Sequence, residues 1–177
     1  LNATGFSGYN GSAFPASPGN AVQNIRLANN SFSIPDVTGT GVYNLNGLSF
    51  FTNATGQSIN FTDGADTFNL TSGGLLKSGN FTGNIGATVD SGRLTAGGTS
   101  SGVNSLYIYN NESTLTINSR IVDNASGGQT RLVVTGASNV TLTAPNTYTG
   151  GTVLNSATTN LIGVANQTIP AGGLTVN

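Results

Sequence analysis

The chain has 177 residues with a net charge of −1, and only 6 % are charged against 36 % hydrophobic. Five basic residues (Arg26, Lys77, Arg93, Arg120 and Arg131) are spread along it, whereas nucleic-acid binding needs cations clustered along a phosphate track. Cysteine and histidine are both zero, which excludes disulfide staples, thiol chemistry, Ser-His-Asp catalysis and the usual zinc ligands.

Residues 1–20 carry two prolines and the aromatics Phe6, Tyr9 and Phe14 without clean alternation, and they are expected to form an N-terminal cap or arm. They have neither the basic start nor the apolar middle of a signal peptide, so for a secreted protein the leader is expected to have been removed or to lie outside this chain. No apolar run reaches the ~18 residues of a membrane-spanning helix, and no direct membrane insertion is expected.

Residues 21–177 read as strand and turn throughout. Period-two alternation runs through Val42 to Leu45, Ile59 to Thr62 and Phe68 to Thr71. It resumes at Leu106 to Tyr109, Leu115 to Ile117 and Val140 to Thr143, then at Thr152 to Leu154, Leu161 to Val164 and Leu174 to Val176. Turn words separate these segments, among them Asp63-Gly64, Ser72-Gly73-Gly74, Ala96-Gly97-Gly98 and Gly127-Gly128. Strands of even spacing, small residues and sparse charge predict an all-β parallel β-helix, a solenoid in which Asn side chains stack as ladders. With coils of about 20–25 residues it would have about 7–8 coils. A β-sandwich is the alternative. The final strand word has no polar cap, so either the rod continues in a longer parent or a neighbouring subunit covers that end.

Residues 129–155 are more specific. Their core, Pro145-Asn146-Thr147-Tyr148-Thr149-Gly150-Gly151-Thr152-Val153, follows the strand Val140 to Thr143, and Leu115 to Asn124 forms a lead-in strand. This stretch resembles the autotransporter-associated β-strand repeat, or passenger-associated transport repeat. The match is clear over about 115–155 and weaker back to about 42. The resemblance implies a right-handed parallel β-helix in a bacterial surface or secreted protein, not itself catalytic.

Asp63 and Asp66 are the closest acidic pair; Asp-Gly-Ala-Asp reads as a turn, ahead of a surface Ca2+ site or a catalytic pair. Glu112 and Asp123, with Arg120 near, read as solvated charges or turn residues. Tyr107 and Tyr109 share one strand face and are expected to stack on aromatics of neighbouring rungs, or to bind sugars. Eleven Asn-X-Ser/Thr sequons, at Asn2, Asn10, Asn29, Asn53, Asn60, Asn69, Asn80, Asn111, Asn124, Asn139 and Asn166, are candidate glycosylation sites. The expected function is non-enzymatic: an extracellular structural rod, self-associating through its solenoid ends. An adhesin or segment binding surface glycans is the alternative. No cofactor is expected.

Overall fold

The computed structural model describes residues 9–155, 161–163, 169–170 and 172–177. Among the described residues fifteen strands follow one another: β1 (Gly19–Ala28), β2 (Phe32–Ile34), β3 (Val42–Phe51), β4 (Gln57–Phe61), β5 (Thr67–Ser78), β6 (Gly83–Ile85), β7 (Arg93–Ala96), β8 (Val103–Asn110), β9 (Leu115–Ile117), β10 (Arg120–Ile121), β11 (Gln129–Gly136), β12 (Val140–Leu142), β13 (Thr152–Leu154), β14 (Leu161–Gly163) and β15 (Leu174–Val176). No helix interrupts them among the described residues.

Every strand pairing is parallel. The larger sheet runs β1-β3-β5-β8-β11-β13-β15, with β7 paired to β5 and β10 to β7, and the smaller runs β14-β12-β9-β6-β4-β2. Apart from the pairs β7–β8 and β10–β11, which are successive strands of the larger sheet, strands of the two sheets alternate along the chain, so each return to the larger sheet's main path completes one coil. The fold is a parallel β-solenoid of about six turns, as seven successive strands of the larger sheet require. A β-sandwich is excluded, because its sheets would be antiparallel.

The expectation of 7–8 coils was too high because several coils run longer than the expected 20–25 residues. Register takes 23 residues from Leu27 to Phe50, 27 from Phe50 to Lys77 and 33 from Lys77 to Asn110, then 20 from Val134 to Leu154. The long coil holds the additional strand β7, which pairs with the first half of β5 while β8 pairs with the second.

Side chains on alternate positions turn inward and stack in columns. Ile25, Leu48, Leu75, Ile108 and Val134 form one column, and Ile59, Ile85, Ile117 and Leu142 another on the facing sheet. Each of these side chains is buried. Burying one such aliphatic side chain is worth about 1.5–3 kcal/mol, and the column repeats it at every rung. Polar stacking supplements this: Asn69 Nδ2 donates to Asn44 Oδ1 of the preceding rung at 2.9 Å, a two-rung asparagine ladder.

Residues 9–18 lie against the first coil. Asn10 N donates to Asn24 O and Arg26 N to Gly11 O, so this segment pairs briefly beside β1. Phe14 meets Tyr43 and Phe68 edge-on, with ring centroids 5.6 and 5.8 Å away, and the Tyr43 hydroxyl donates to Pro15 O at 2.6 Å.

Candidate functional site

The corner that joins β1, β3, β5, β8 and β11 to the next strand of the smaller sheet is where the interior becomes polar. The inward column at this corner reads Leu27, Phe50, Lys77 and Asn110, one per rung, all fully buried. Turns break the backbone ladder, and their carbonyls need other donors. Lys77 Nζ donates to Gly79 O at 2.8 Å, to Phe81 O at 2.7 Å, and to Glu112 O of the following turn. Asn110 Nδ2 repeats the pattern one rung on, donating to Ser113 O at 2.8 Å and Asn139 O at 2.6 Å. Thr52 Oγ1 donates to Phe81 O at 2.6 Å from the rung before. Burial pushes the Lys77 ammonium down to about 8, partly countered by the Glu112 charge. The Glu112 carboxylate accepts from Gly79 N at 2.7 Å. A buried lysine at this position follows from alternation, since it is two residues from inward Leu75.

The acidic residues mostly hold turns. Asp66 is buried and accepts from Val37 N at 2.8 Å and Gly41 N at 2.9 Å, while Asp63 accepts from Ala65 N within the turn. Asp63, Asp66 and Asp36 each bring a carboxylate oxygen within 4.8 Å of the others. Both Asp66 oxygens, however, are committed to backbone N–H groups. Asp123 is not a solvated charge: it accepts from Thr130 N, Thr149 N and the Thr149 hydroxyl, clamping two coils. Arg120 pairs instead with Asp90 across one rung, at 2.6 Å.

Tyr107 and Tyr109 both face outward, half exposed, but do not form the expected aromatic stack. Gly74 and Val133 flank Tyr107 on the adjoining rungs, and Leu76 and Thr135 flank Tyr109. The register thus leaves their rings without aromatic partners on either side. With Tyr9 and Leu76 they wall a groove of about 280 Å3. Gly47 and Gly74, paired in register, lie along it, and their missing side chains make room for it.

The sequons fall into three groups. Asn10, Asn29, Asn53, Asn80 and Asn111 are exposed, Asn60 and Asn139 are half-buried, and Asn69 and Asn124 are buried. Asn2 and Asn166 lie outside the described residues. The described residues hold no helix long and apolar enough to cross a membrane.

No family model, no curated protein and no solved structure matches this chain.

Proposed function

We propose that this chain is a structural element, a rigid β-solenoid segment of an extracellular or cell-surface protein, of the bacterial passenger kind that residues 115–155 resemble. The observation that carries this reading is the uninterrupted interior: aliphatic and polar columns continue from rung to rung, and chemistry-bearing groups are spent on holding turns. Lys77, Asp66, Asp123 and Glu112 each bond backbone groups of a neighbouring coil or loop. On the last rung, Leu174 and Val176 are 54 % and 64 % exposed. Self-association would bury these two side chains against a second copy of the solenoid.

Electron microscopy of the purified protein at high concentration tests the stacking, with end-to-end arrays expected. Particles that stay single at every concentration would count against self-association. The structural reading itself is overturned by turnover of a polysaccharide that Asp63→Asn abolishes.

The groove walled by Tyr9, Tyr107 and Tyr109 favours a second reading, a segment that binds surface glycans by stacking sugar rings on tyrosine. A glycan array gives signal under this reading, and Tyr107→Ala removes it while leaving the melting temperature unchanged. An array without signal retires it.

A further inference from the structure

Five of the eleven sequons share one place in the solenoid. Each of the first five turns leading from the larger sheet to the smaller one holds one: Asn29 between β1 and β2, Asn53 between β3 and β4, Asn80 between β5 and β6, Asn111 between β8 and β9, and Asn139 between β11 and β12. These turns are only three to five residues long, and the strands on both sides stack in register. The five asparagines therefore line one edge of the solenoid, one per coil, about 5 Å apart along its axis.

Turn chemistry alone does not call for asparagine at these places. Asn29 has a positive φ of 72°, where asparagine is favoured, but Asn53, Asn80 and Asn111 do not. Hydrogen bonding does not require them either. Neither Asn29 nor Asn80 bonds through its carboxamide, and Asn53 and Asn111 use only Oδ1, accepting from Gln57 Nε2 and the Tyr109 hydroxyl. In all four the nucleophilic Nδ2 is uncommitted, and all four are exposed. The hydroxyl-bearing residues Ser31, Thr55 and Thr82 of the first three sequons are exposed too. Buried sequons are the opposite. Asn69 Nδ2 donates to Asn44 Oδ1 and Gly98 O, and Asn124 Nδ2 donates to Ala96 O and Ser100 O.

The same corner is fixed from inside. Thr52, Lys77 and Asn110 bond its carbonyls, so the backbone is held while the asparagine side chains project outward.

We propose that Asn29, Asn53, Asn80 and Asn111 are N-glycosylation sites, forming a row of sugars along one edge of the solenoid. In each transfer a bond forms between Nδ2 and the sugar C1. The C1–O bond to the phosphate of a nucleotide- or lipid-linked donor breaks, and the Nδ2 proton passes to a base of the transferring enzyme. The rung spacing leaves room for one small sugar per coil, or for larger glycans on alternate coils. This inference goes beyond the structural reading, and bare asparagines would leave that reading untouched.

Peptide mapping by mass spectrometry, on protein purified from the cells that naturally make it, tests the proposal. Sugar is expected on the four edge asparagines, with Asn69 and Asn124 bare. The combined variant N29Q/N53Q/N80Q/N111Q should lose that added mass and keep its β-sheet circular dichroism. Four bare edge asparagines would overturn the proposal, as would equal occupancy of Asn69 or Asn124.

Discussion

Replacing Lys77 with methionine tests whether the buried ammonium holds the corner together. Methionine has nearly the same length and fits the column, so the change isolates the lost donors. Phe81 O retains the Thr52 hydroxyl at 2.6 Å, and Gly79 O keeps only a weak share of that same proton at 3.4 Å. Glu112 O, by contrast, has no other donor among the described contacts. A hydrogen bond to a charged group is worth about 1.5–3 kcal/mol net of desolvation. One bond lost outright and two lost in part make the expected cost about 3 kcal/mol, or roughly 6–12 °C in Tm for a chain of this size. The assay is thermal melting followed by circular dichroism, with Leu75→Met as the control, expected to cost under about 1.5 kcal/mol. A second readout uses pH. The folded value of Lys77 is about 8, against 10.5 for the free side chain. Between them the unfolded chain binds more protons, so wild-type stability must rise with pH there. Tyr43 and Tyr148 are raised by burial and act in the opposite sense only as pH nears the ordinary tyrosine value, so the window is about pH 8–9.5. Lys77→Met should lack the rise. A variant that melts at or above the wild type, or one whose pH profile parallels it, would refute this account.

Asp66→Asn keeps one acceptor oxygen but presents an amide N–H to another, losing one of the charge-assisted bonds to Val37 N and Gly41 N; urea unfolding should show a loss of about 2 kcal/mol. Gly73 and Gly56 share a φ of 76°, but a Cβ at Gly73 would sit 1.9 Å from Ser105 O, whereas one at Gly56 meets nothing within 4 Å. Gly56→Ala should therefore cost about 1 kcal/mol, from strain alone, and Gly73→Ala at least about 3, by forcing β5 from β8; equal costs would show the rungs to be looser than described. Ile85→Ala opens a gap in the column between Ile59 and Ile117 and should cost about 2–5 kcal/mol. Because each coil touches only its neighbours, hydrogen exchange should rise first in β4, β6 and β9, while the distant β13 stays protected.

What was legible in the sequence was whatever depends on near neighbours. Alternation at Val42–Leu45 and Leu106–Tyr109 marks strands directly, because inward and outward positions differ in polarity. It fails at Ser72-Gly73-Gly74, which reads as a turn but lies inside β5. There Gly73 brings the backbone so close to Ser105 O of the next rung that no side chain fits, and the strand bends without ending. The short strand β6, Gly-Asn-Ile, has too few apolar residues to register as a pattern, yet it is held in register between β4 and β9. The polar corner and the sequon row were hidden for a different reason. Each sequon is readable by itself, and Lys77 is in phase with Leu75, but vertical alignment depends on the length of every intervening coil. Those lengths range from 20 to 33 residues, so no fixed period in the sequence brings Asn29, Asn53, Asn80 and Asn111 together. The register that aligns them is set by inward packing, and a one-residue slip at any rung would reverse the inward and outward faces above it. The interior columns thus decide what the outer edge displays.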